Sequence, residues 1–263
     1  MIWDIEHILA DFGFVQIRWY TIWFVTGLLC VWHIGASAYE RRNMPRSYVP
    51  QFIMLFTVGI VVGGHIFHII FYEPKAFIEN PKRLLQFGQG MASHGSFFGI
   101  LAFLSIWCRL KKVSFRRVCD ASAVAWFWLF PFVRIGNFFN SEIYGKVTEV
   151  PWGVVFEQAT AAGLQPRHPV QLYEALFNFF LIWFAQKTDK DPEQFAPGVR
   201  AAALIGLYCV GRFFLEFFKE YQIMNAGSWL NMGQIWSIIG FSLCAATAYL
   251  LRRSAQSSES SVV

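Results

Sequence analysis

Residues 49–71 read VPQFIMLFTVGIVVGGHIFHIIF, a run that contains no Asp, Glu, Lys or Arg. A helix of this length rises about 34 Å, which is enough to cross the roughly 30 Å hydrocarbon core of a bilayer. Six further apolar windows can be placed at residues 17–37, 92–110, 119–135, 169–184, 199–218 and 231–251. The sequence therefore predicts an all-α polytopic membrane protein with seven transmembrane helices.

The composition agrees with this class. Of the 263 residues, 56% are hydrophobic, 19% are aromatic and only 15% are charged, whereas soluble domains carry about 25% charged residues. The net charge is +5, but the basic residues are spread over short loops, so we expect no nucleic-acid partner. We expect one transmembrane domain over residues 1–253, followed by a Ser-rich, disordered cytoplasmic tail over residues 254–263.

Lysine and arginine mark the connections that remain in the cytoplasm. The connections after the first, third and seventh windows contain Arg41, Arg42, Arg46, Lys111, Lys112, Arg116, Arg117, Arg252 and Arg253. The N-terminal segment instead carries Asp4, Glu6 and Asp11, with no basic residue before Arg18. The connections after the second and fifth windows carry both signs of charge. We predict that the N-terminus lies outside and the C-terminus in the cytoplasm, and that the first window is retained rather than cleaved.

The cysteines do not indicate a disulfide or a metal site. All five fall inside the apolar windows or at their cytoplasmic ends, and the sequence contains no CxxC pair. A catalytic cysteine is the weaker interpretation, because apolar burial leaves a thiol inert. The cysteine pattern therefore predicts no zinc-type metal site.

Polar residues collect at one depth of the predicted bundle. Each of them falls on the external side of its window: Tyr20, His65, His68, His94, Arg134, Asn137, His168, Gln171, Tyr173, Glu174, Arg212, Glu216 and Gln234. Residues that merely reach toward the nearest interface would be divided between the two leaflets. The distribution therefore predicts a polar cavity toward the outer leaflet.

The stretch 134–145 reads RIGNFFNSEIYG and places Arg134 at the end of an apolar window. A charge at a helix centre disfavours insertion by roughly 2.5–3.5 kcal/mol, and by less near the interface. Such a residue is usually retained for a partner, and an anionic lipid headgroup suits a planar guanidinium. Tyr208, Arg212 and Glu216 share a second helix face by their spacing of four. Glu216 could simply neutralise Arg212, or the two arginines could also bind a phosphate.

The histidines and the start of the fifth window allow structural interpretations as well. His94 could cap or pack a helix, although Gly95 beside it permits the close approach of a ligand. Gln171 and Tyr173 are expected to be structural, with Glu174 near the helix dipole. His65 and His68 are three residues apart, but no carboxylate accompanies them in the sequence, so we favour packing or lipid contact over a metal pair.

Several motifs together resemble one family, the bacterial prolipoprotein diacylglyceryl transferases. The similarity runs in order over residues 15–250 and rests on Trp19-Tyr20, His94-Gly95, the stretch 134–145, Arg167-His168-Pro169-x-Gln171-Leu172-Tyr173-Glu174, Arg212-Phe213-x-x-Glu216-Phe217 and Met232-Gly233-Gln234. The resemblance implies an inner-membrane enzyme that transfers the diacylglyceryl group of phosphatidylglycerol to the lipobox cysteine of a prolipoprotein signal peptide. A thioether forms and glycerol phosphate is released, and the resemblance implies no metal and no organic cofactor.

The resemblance also implies the site residues. Its catalytic residues fall on His94, Arg134, Arg212 and Tyr20, and its phosphatidylglycerol-binding residues on Arg134, Asn137, Glu142, Gly145, Tyr208, Arg212 and Glu216. Cations are needed because displacement at the glycerol carbon expels a phosphate. His94 could take the thiol proton or orient the thiol, since an unperturbed thiol has a pKa near 8.5. Both substrates would enter laterally from the membrane.

Three features depart from the family pattern. Ser96 replaces an expected glycine, His65 replaces an expected arginine in the second window, and the segment after Gly145, with Pro151 and Trp152, is only loosely similar. A paralogous lipid transferase with another acceptor is therefore an alternative. A non-enzymatic lipid-binding protein or transporter is a weaker alternative, because transporters usually show inverted repeats and no internal repeat is visible here.

Overall fold

The computed structural model describes residues 1–85, 93–159, 163–220 and 230–260, and most of them are helical. The chain divides into two compact units. One comprises Met1–Ala38 with Asp120–Val263, and the other comprises Tyr39–Cys119.

The helices follow the predicted windows closely. They are α1 (Trp19–Glu40), α2 (Tyr48–Val58), α3 (Gly64–Tyr72), α4 (Pro74–Glu79), α5 (Ser93–Lys111), α6 (Phe115–Trp126), α7 (Leu129–Phe139), α8 (Val170–Thr188), α9 (Val199–Leu215) and α10 (Met232–Ser260). A π-helical turn, Gly59–Gly63, joins α2 to α3. Short 3₁₀ turns lie at Pro81–Leu85, Pro192–Gln194 and Glu216–Phe218. Helix α10 continues past residue 253, where the tail was expected to begin.

Five helical segments within the described residues are long and apolar enough to cross a membrane. They are Trp19–Glu40, Tyr48–Phe71, Phe115–Phe139, Val199–Phe218 and Met232–Ser257. The other two predicted spans correspond to α5 and α8, each 19 residues long. Helix α8 is less apolar because it carries Glu174, Asn178 and Lys187. The multi-pass helical class is confirmed, whereas the count of seven and the orientation of the termini remain predictions.

The fourth predicted span is interrupted between α6 and α7. Residues 127 and 128 form a turn, and α7 then carries Pro131 in its first helical turn. Proline has no N–H to donate to the carbonyl four residues earlier, and its ring crowds that carbonyl. The helix therefore restarts at Leu129 rather than continuing from α6.

Close backbone packing characterises the unit 39–119. Gly59 and Gly63 on the second span face Gly95 and Gly99 on α5, and a Cβ added at Gly63 would collide with the carbonyl oxygen of Gly95. The Ser96 hydroxyl donates a 2.9 Å hydrogen bond to the carbonyl of Ile60 in the π-helical turn. A π-helical turn changes the regular i→i−4 pairing of carbonyls. The Ile60 carbonyl also accepts from the backbone N–H of Gly64, so Ser96 adds a second hydrogen bond that joins α5 to the second span.

The unit formed by Met1–Ala38 and Asp120–Val263 contains four short strands in the part of the chain that the structure describes. Strand β1 (Ile2–Trp3) pairs in parallel with β4 (Val155–Phe156), and β2 (Ile8–Asp11) pairs antiparallel with β3 (Gln16–Arg18). Phe138, Val154 and Phe156 form a buried cluster under β1 and β4, with Trp3, Phe139, Tyr144 and Leu172 packed around it. This cluster joins the end of α7 to the segment that leads into α8.

Side chains cap the N-termini of helices α9 and α10. Asp120 accepts 2.7 Å hydrogen bonds from the backbone N–H groups of Gly198 and Ala201 at the start of α9. At the start of α10, Asn231 and Gln234 exchange side-chain to backbone hydrogen bonds of 2.8 and 3.1 Å, which is a capping box. These contacts satisfy N–H groups that a helix leaves free at its first turn.

Candidate functional site

The centre of the candidate site is an ion pair between adjacent helices. Arg134 on α7 places Nε 2.6 Å from Oε2 of Glu174 on α8. Only 6% of the Glu174 side chain is exposed, so its charge requires close partners. Lys219 supplies the second partner, with Nζ 2.6 Å from Oε1. Each carboxylate oxygen of Glu174 therefore faces a different cation.

The ionic contacts continue to the end of α9. Oε2 of Glu216 lies 3.8 Å from Nζ of Lys219 and 3.8 Å from Nη2 of Arg212. The result is a chain of alternating charge, here called the ionic chain, formed by Arg134, Glu174, Lys219, Glu216 and Arg212. Three cations and two carboxylates give the ionic chain a net charge of +1, and its two ends are arginines.

Both terminal arginines open into one pocket. Its walls are formed by Phe130, Arg134, Glu174, Phe177, Asn178, Tyr208, Arg212 and Leu215. Tyr208 is hydrogen-bonded to Arg212 and stacks on Phe130, with ring centroids 5.5 Å apart. The pocket thus combines guanidinium donors with aromatic walls. Such a lining suits a molecule with an anionic group and an apolar body.

The stretch 134–145 folds into a tight turn after α7. The Asn137 amide donates to Oε1 of Glu142 over 3.1 Å, and Arg134 Nη1 lies 3.4 Å from Oδ1 of Asn137. Ser141 and Ile143 both have positive φ, 53° and 58°. These values let the chain reverse so that Glu142 returns toward α7.

Helix α8 holds this turn from the other side. Gln171 is fully buried, and its side-chain amide donates a 2.7 Å hydrogen bond to the carbonyl of Glu142. This contact agrees with the structural role expected for Gln171.

The structure gives a packing reason for Gly145. A Cβ added there would lie 2.5 Å from the Phe218 carbonyl oxygen and 2.8 Å from Cβ of His168. The Gly145 N–H donates to the His168 carbonyl over 2.9 Å, and the residue pairs with Lys219 in a β-bridge. The backbone of Gly145 therefore fixes the position of Lys219. Its expected role in binding the lipid remains a prediction.

Tyr20 comes close to the same network from α1. Its ring fills the space that Gly136 leaves open, since a Cβ there would lie 2.9 Å from Cδ2 of Tyr20. The hydroxyl interacts electrostatically with Glu142 and Arg134. The structure thus brings together eight of the nine predicted site residues in one unit: Tyr20, Arg134, Asn137, Glu142, Gly145, Tyr208, Arg212 and Glu216.

The ninth predicted residue, His94, lies in the first turn of α5, and its side chain falls outside the described residues. The expectation that no carboxylate accompanies the second-span histidines is wrong for His68. Its Nε2 is 3.2 Å from Oε1 of Glu73, and Arg83 Nε donates to the other oxygen over 3.0 Å. These hydrogen bonds, that of Arg83 first, lower the pKa of Glu73. Glu73 and Arg83 lie beyond the end of the predicted span, so the residue pattern within the span gave no sign of this cluster.

A second polar group borders the turn. The Trp152 indole donates a 2.6 Å hydrogen bond to the hydroxyl of Tyr173, which lies 3.2 Å from Nδ1 of His168. Burial lowers the pKa of His168, and the nearby Lys146 lowers it further. Both effects favour the neutral form of the His168 imidazole.

Sequence reasoning missed Lys219 and the ionic role of Glu174. The sequence places Glu174 in the predicted polar cavity and near a helix dipole, and in the structure its carboxylate faces Arg134 and Lys219. The signal that could have found it was the need of Arg134 for a buried counter-charge. Lys219 lies three residues after Glu216 and continues the stripe that begins at Tyr208.

Comparison with known proteins supports the resemblance over nearly the whole chain. Residues 7–250 match the family model for prolipoprotein diacylglyceryl transferase. Three relatives carry the name phosphatidylglycerol–prolipoprotein diacylglyceryl transferase. That of Solidesulfovibrio magneticus is 34% identical over 251 residues, which covers 89% of this chain and 89% of the relative.

The other two relatives cover still more of the chain. The protein of Tolumonas auensis is 31% identical over 256 residues, covering 95% of this chain and 97% of the relative. That of Geobacter sulfurreducens is 32% identical over 257 residues, covering 95% and 96%. The similarity therefore includes every element that carries the ionic chain.

Proposed function

The chain belongs to the prolipoprotein diacylglyceryl transferase family, and we propose from this membership that it transfers the diacylglyceryl group of phosphatidylglycerol to a cysteine thiol of prolipoproteins. The acceptor is the lipobox cysteine of the signal peptide. The reaction is the first step of bacterial lipoprotein maturation.

One structural observation supports the proposed chemistry of the transfer. Arg134 and Arg212 come from different helices and line the same pocket. In the transfer, the glycerol C3–O bond breaks while a C–S bond forms, and glycerol phosphate leaves with the bonding electron pair. Negative charge therefore grows on the phosphate oxygen, and preorganised cations stabilise that charge. The aromatic walls provided by Phe130 and Phe177 suit the glyceride end of the lipid.

The remaining site residues have supporting roles in this proposal. Asn137, held by Glu142, and Tyr20 bind glycerol hydroxyls or phosphate oxygens. The thiol must lose its proton before or during attack. His94 receives or directs that proton, which is the role that its imidazole chemistry allows near neutral pH. No metal or organic cofactor takes part.

We place the enzyme in the bacterial inner membrane with seven spans, which are the five apolar segments together with α5 and α8. Acidic residues precede α1, and basic residues follow α5 and lie near the end of α10, which supports an external N-terminus and a cytoplasmic C-terminus. In this orientation the ionic chain lies toward the outer leaflet. Phosphatidylglycerol and the signal peptide enter laterally.

Of the three departures from the family pattern, Ser96 makes a contact that the structure describes. Its hydroxyl donates to the Ile60 carbonyl of the second span. This contact gives Ser96 a role in packing α5 against the second span, which favours the usual acceptor over a different one. A paralogue with another acceptor is accordingly the weaker alternative.

To test this proposal, purified protein is incubated with labelled phosphatidylglycerol and a lipobox peptide, and the labelled peptide product is measured. The wild-type protein is expected to form thioether-linked product, and Arg134→Ala is expected to lose about 10²–10³-fold in rate. Arg116→Ala is the matched control, since Arg116 is exposed at the start of α6. Absence of product with the wild type would refute the proposed activity. Product from a peptide with serine in place of cysteine would refute the thiol mechanism.

A further inference from the structure

Glu174 presents a problem for phosphate binding. Its two oxygens already contact two of the three cations in the ionic chain, each at 2.6 Å. An anionic ligand in the pocket would draw on the same positive charges. A site evolved only for tight phosphate binding would not place a buried carboxylate among them.

The contacts around Glu174 leave part of Arg134 available to a ligand. The carboxylate engages the guanidinium through Nε, on the side of the group that is nearer the backbone. Nη1 is 3.4 Å from Asn137, which is a long hydrogen bond. The Arg134 side chain is 20% exposed and Arg134 lines the pocket, so part of the side chain remains accessible to a ligand.

The charge of the ionic chain corresponds to the substrate rather than to the product. The headgroup of phosphatidylglycerol is a phosphodiester with one negative charge, and the ionic chain carries a net charge of +1. The released glycerol phosphate is a monoester, whose second pKa near 6 gives it a charge close to −2 at neutral pH. A site with the charge of +2 would hold this product more strongly than the present one.

We propose that Glu174 is a built-in counter-anion, which competes with the dianionic product for Arg134 and Lys219 and so weakens its binding enough for it to leave. This inference rests on the proposed function, and it assigns Glu174 and Lys219 to product release. During the reaction the two cations turn toward the growing charge, and after cleavage the carboxylate competes with the product for them.

A purely structural ion pair predicts the opposite result from the same variant. If Glu174 only ties α7, α8 and Lys219 together, its neutralisation disorders the cations and weakens anion binding. If it is a counter-anion, neutralisation raises the charge of the ionic chain to +2 and strengthens anion binding. The sign of the change separates the two roles.

The experiment measures binding to full-length protein in detergent micelles by calorimetry at pH 8 and constant ionic strength. Two soluble probes are titrated: glycerol phosphate, a dianion, and glycerophosphoglycerol, a monoanionic phosphodiester. Glu174→Gln is expected to bind glycerol phosphate about tenfold more tightly, on the scale of one charge-assisted hydrogen bond. The diester is expected to gain less, because its charge is half as large.

Control variants complete the design. Glu157→Gln makes the same chemical change at an exposed position outside the pocket and is expected to leave both affinities unchanged. In transfer assays, Glu174→Gln should show a lower kcat and stronger inhibition by glycerol phosphate. Unchanged or weaker glycerol phosphate binding by folded Glu174→Gln protein would overturn the proposal.

A second variant keeps the test decisive if Glu174→Gln does not fold. Lys219→Gln lowers the charge of the ionic chain to zero, so the affinity for glycerol phosphate should fall by about tenfold, and that for the diester by less. Equal affinities in Lys219→Gln and wild type would also overturn the proposal. Because no acceptor peptide is present, failure of the transfer reaction would leave these measurements interpretable.

Discussion

The two compact units hold their helices together in opposite ways. In the unit 39–119, glycines bring the backbones of the second span and α5 into direct contact. In the other unit, charged side chains from α7, α8 and the end of α9 join through the ionic chain. Close backbone packing tolerates almost no added volume, whereas side-chain contacts can rearrange. The comparison indicates that the helices of the first unit are held by rigid backbone packing, whereas the second unit contains charged side chains whose contacts can be redistributed.

The largest effect is expected from Arg212→Ala. This change removes one cationic end of the ionic chain and a donor that lines the pocket. The transfer rate should fall by about 10²–10³-fold, as for the loss of one donor to a developing anion. Because the Arg212 side chain is 33% exposed, the melting temperature should change little. Retention of full activity would show that charge in this unit is not used in the reaction.

A smaller but still large effect is expected from Gly63→Ala. The new methyl group would collide with the Gly95 carbonyl oxygen and lie 2.7 Å from Cα of Gly99, and these are backbone atoms that cannot move independently. Overpacking of this kind destabilises a protein by about 1–3 kcal/mol. Thermal unfolding in detergent measures it. Gly206→Ala is the control, since its nearest neighbour would be 3.4 Å away. Equal melting temperatures would contradict the rigid packing.

Gly233→Ala makes the same chemical change in the other unit and should behave differently. Its methyl group would meet the Glu216 carboxylate at 2.5 Å, which is the end of a flexible side chain. The carboxylate can move aside, so we expect a loss of stability below about 1 kcal/mol. Displacement of Glu216 disturbs Arg212, however, and the transfer rate should fall by roughly tenfold, as expected for a shift in a charge-assisted contact. A large loss of stability with unchanged activity would reverse this interpretation.

The smallest effect concerns pH and the cluster of His68, Glu73 and Arg83. Hydrogen bonds lower the pKa of Glu73 in the folded protein from its usual value of 4.5. The folded state is therefore stabilised by the ionised carboxylate at pH values above 4.5, and this contribution disappears as the pH falls through the lowered value. The difference in melting temperature between wild type and Glu73→Gln should be present at pH 6 and should shrink as the pH falls below 4.5. A difference that did not shrink as the pH was lowered would exclude the ionised carboxylate as its source.

The sequence predicted those parts of the fold that depend on local composition. Apolar windows located the helices, because a span must bury its backbone polar groups within one segment. The break between α6 and α7 was missed, although Pro131 was visible. The paired strands β1 and β4 were also missed. Each has only two residues, which is too short for an alternating pattern, and their partners are more than 150 residues apart.

In the candidate site, too, the residues that are close in sequence were predicted and those brought together by tertiary contacts were not. Arg134, Asn137 and Glu142 lie within nine residues of one another, and local spacing together with the family resemblance brought them to attention. Glu174 and Lys219 contact one another across two helices. No spacing rule joins residues so far apart in the chain. Their connection depends on tertiary packing, including the β-bridge that places Lys219 beside Gly145.

The left-handed conformation of Ile143 has a consequence for how the enzyme meets its lipid. A β-branched residue at φ 58° is disfavoured by roughly 1–3 kcal/mol. The chain retains this conformation because Asn137 and Gln171 hold Glu142 from both sides. The turn is therefore ordered in the protein without lipid, and the conformational entropy of these groups is lost on folding rather than on binding. Lipid binding then needs no reordering of the turn, whereas the strain at Ile143 lowers the stability of the lipid-free protein.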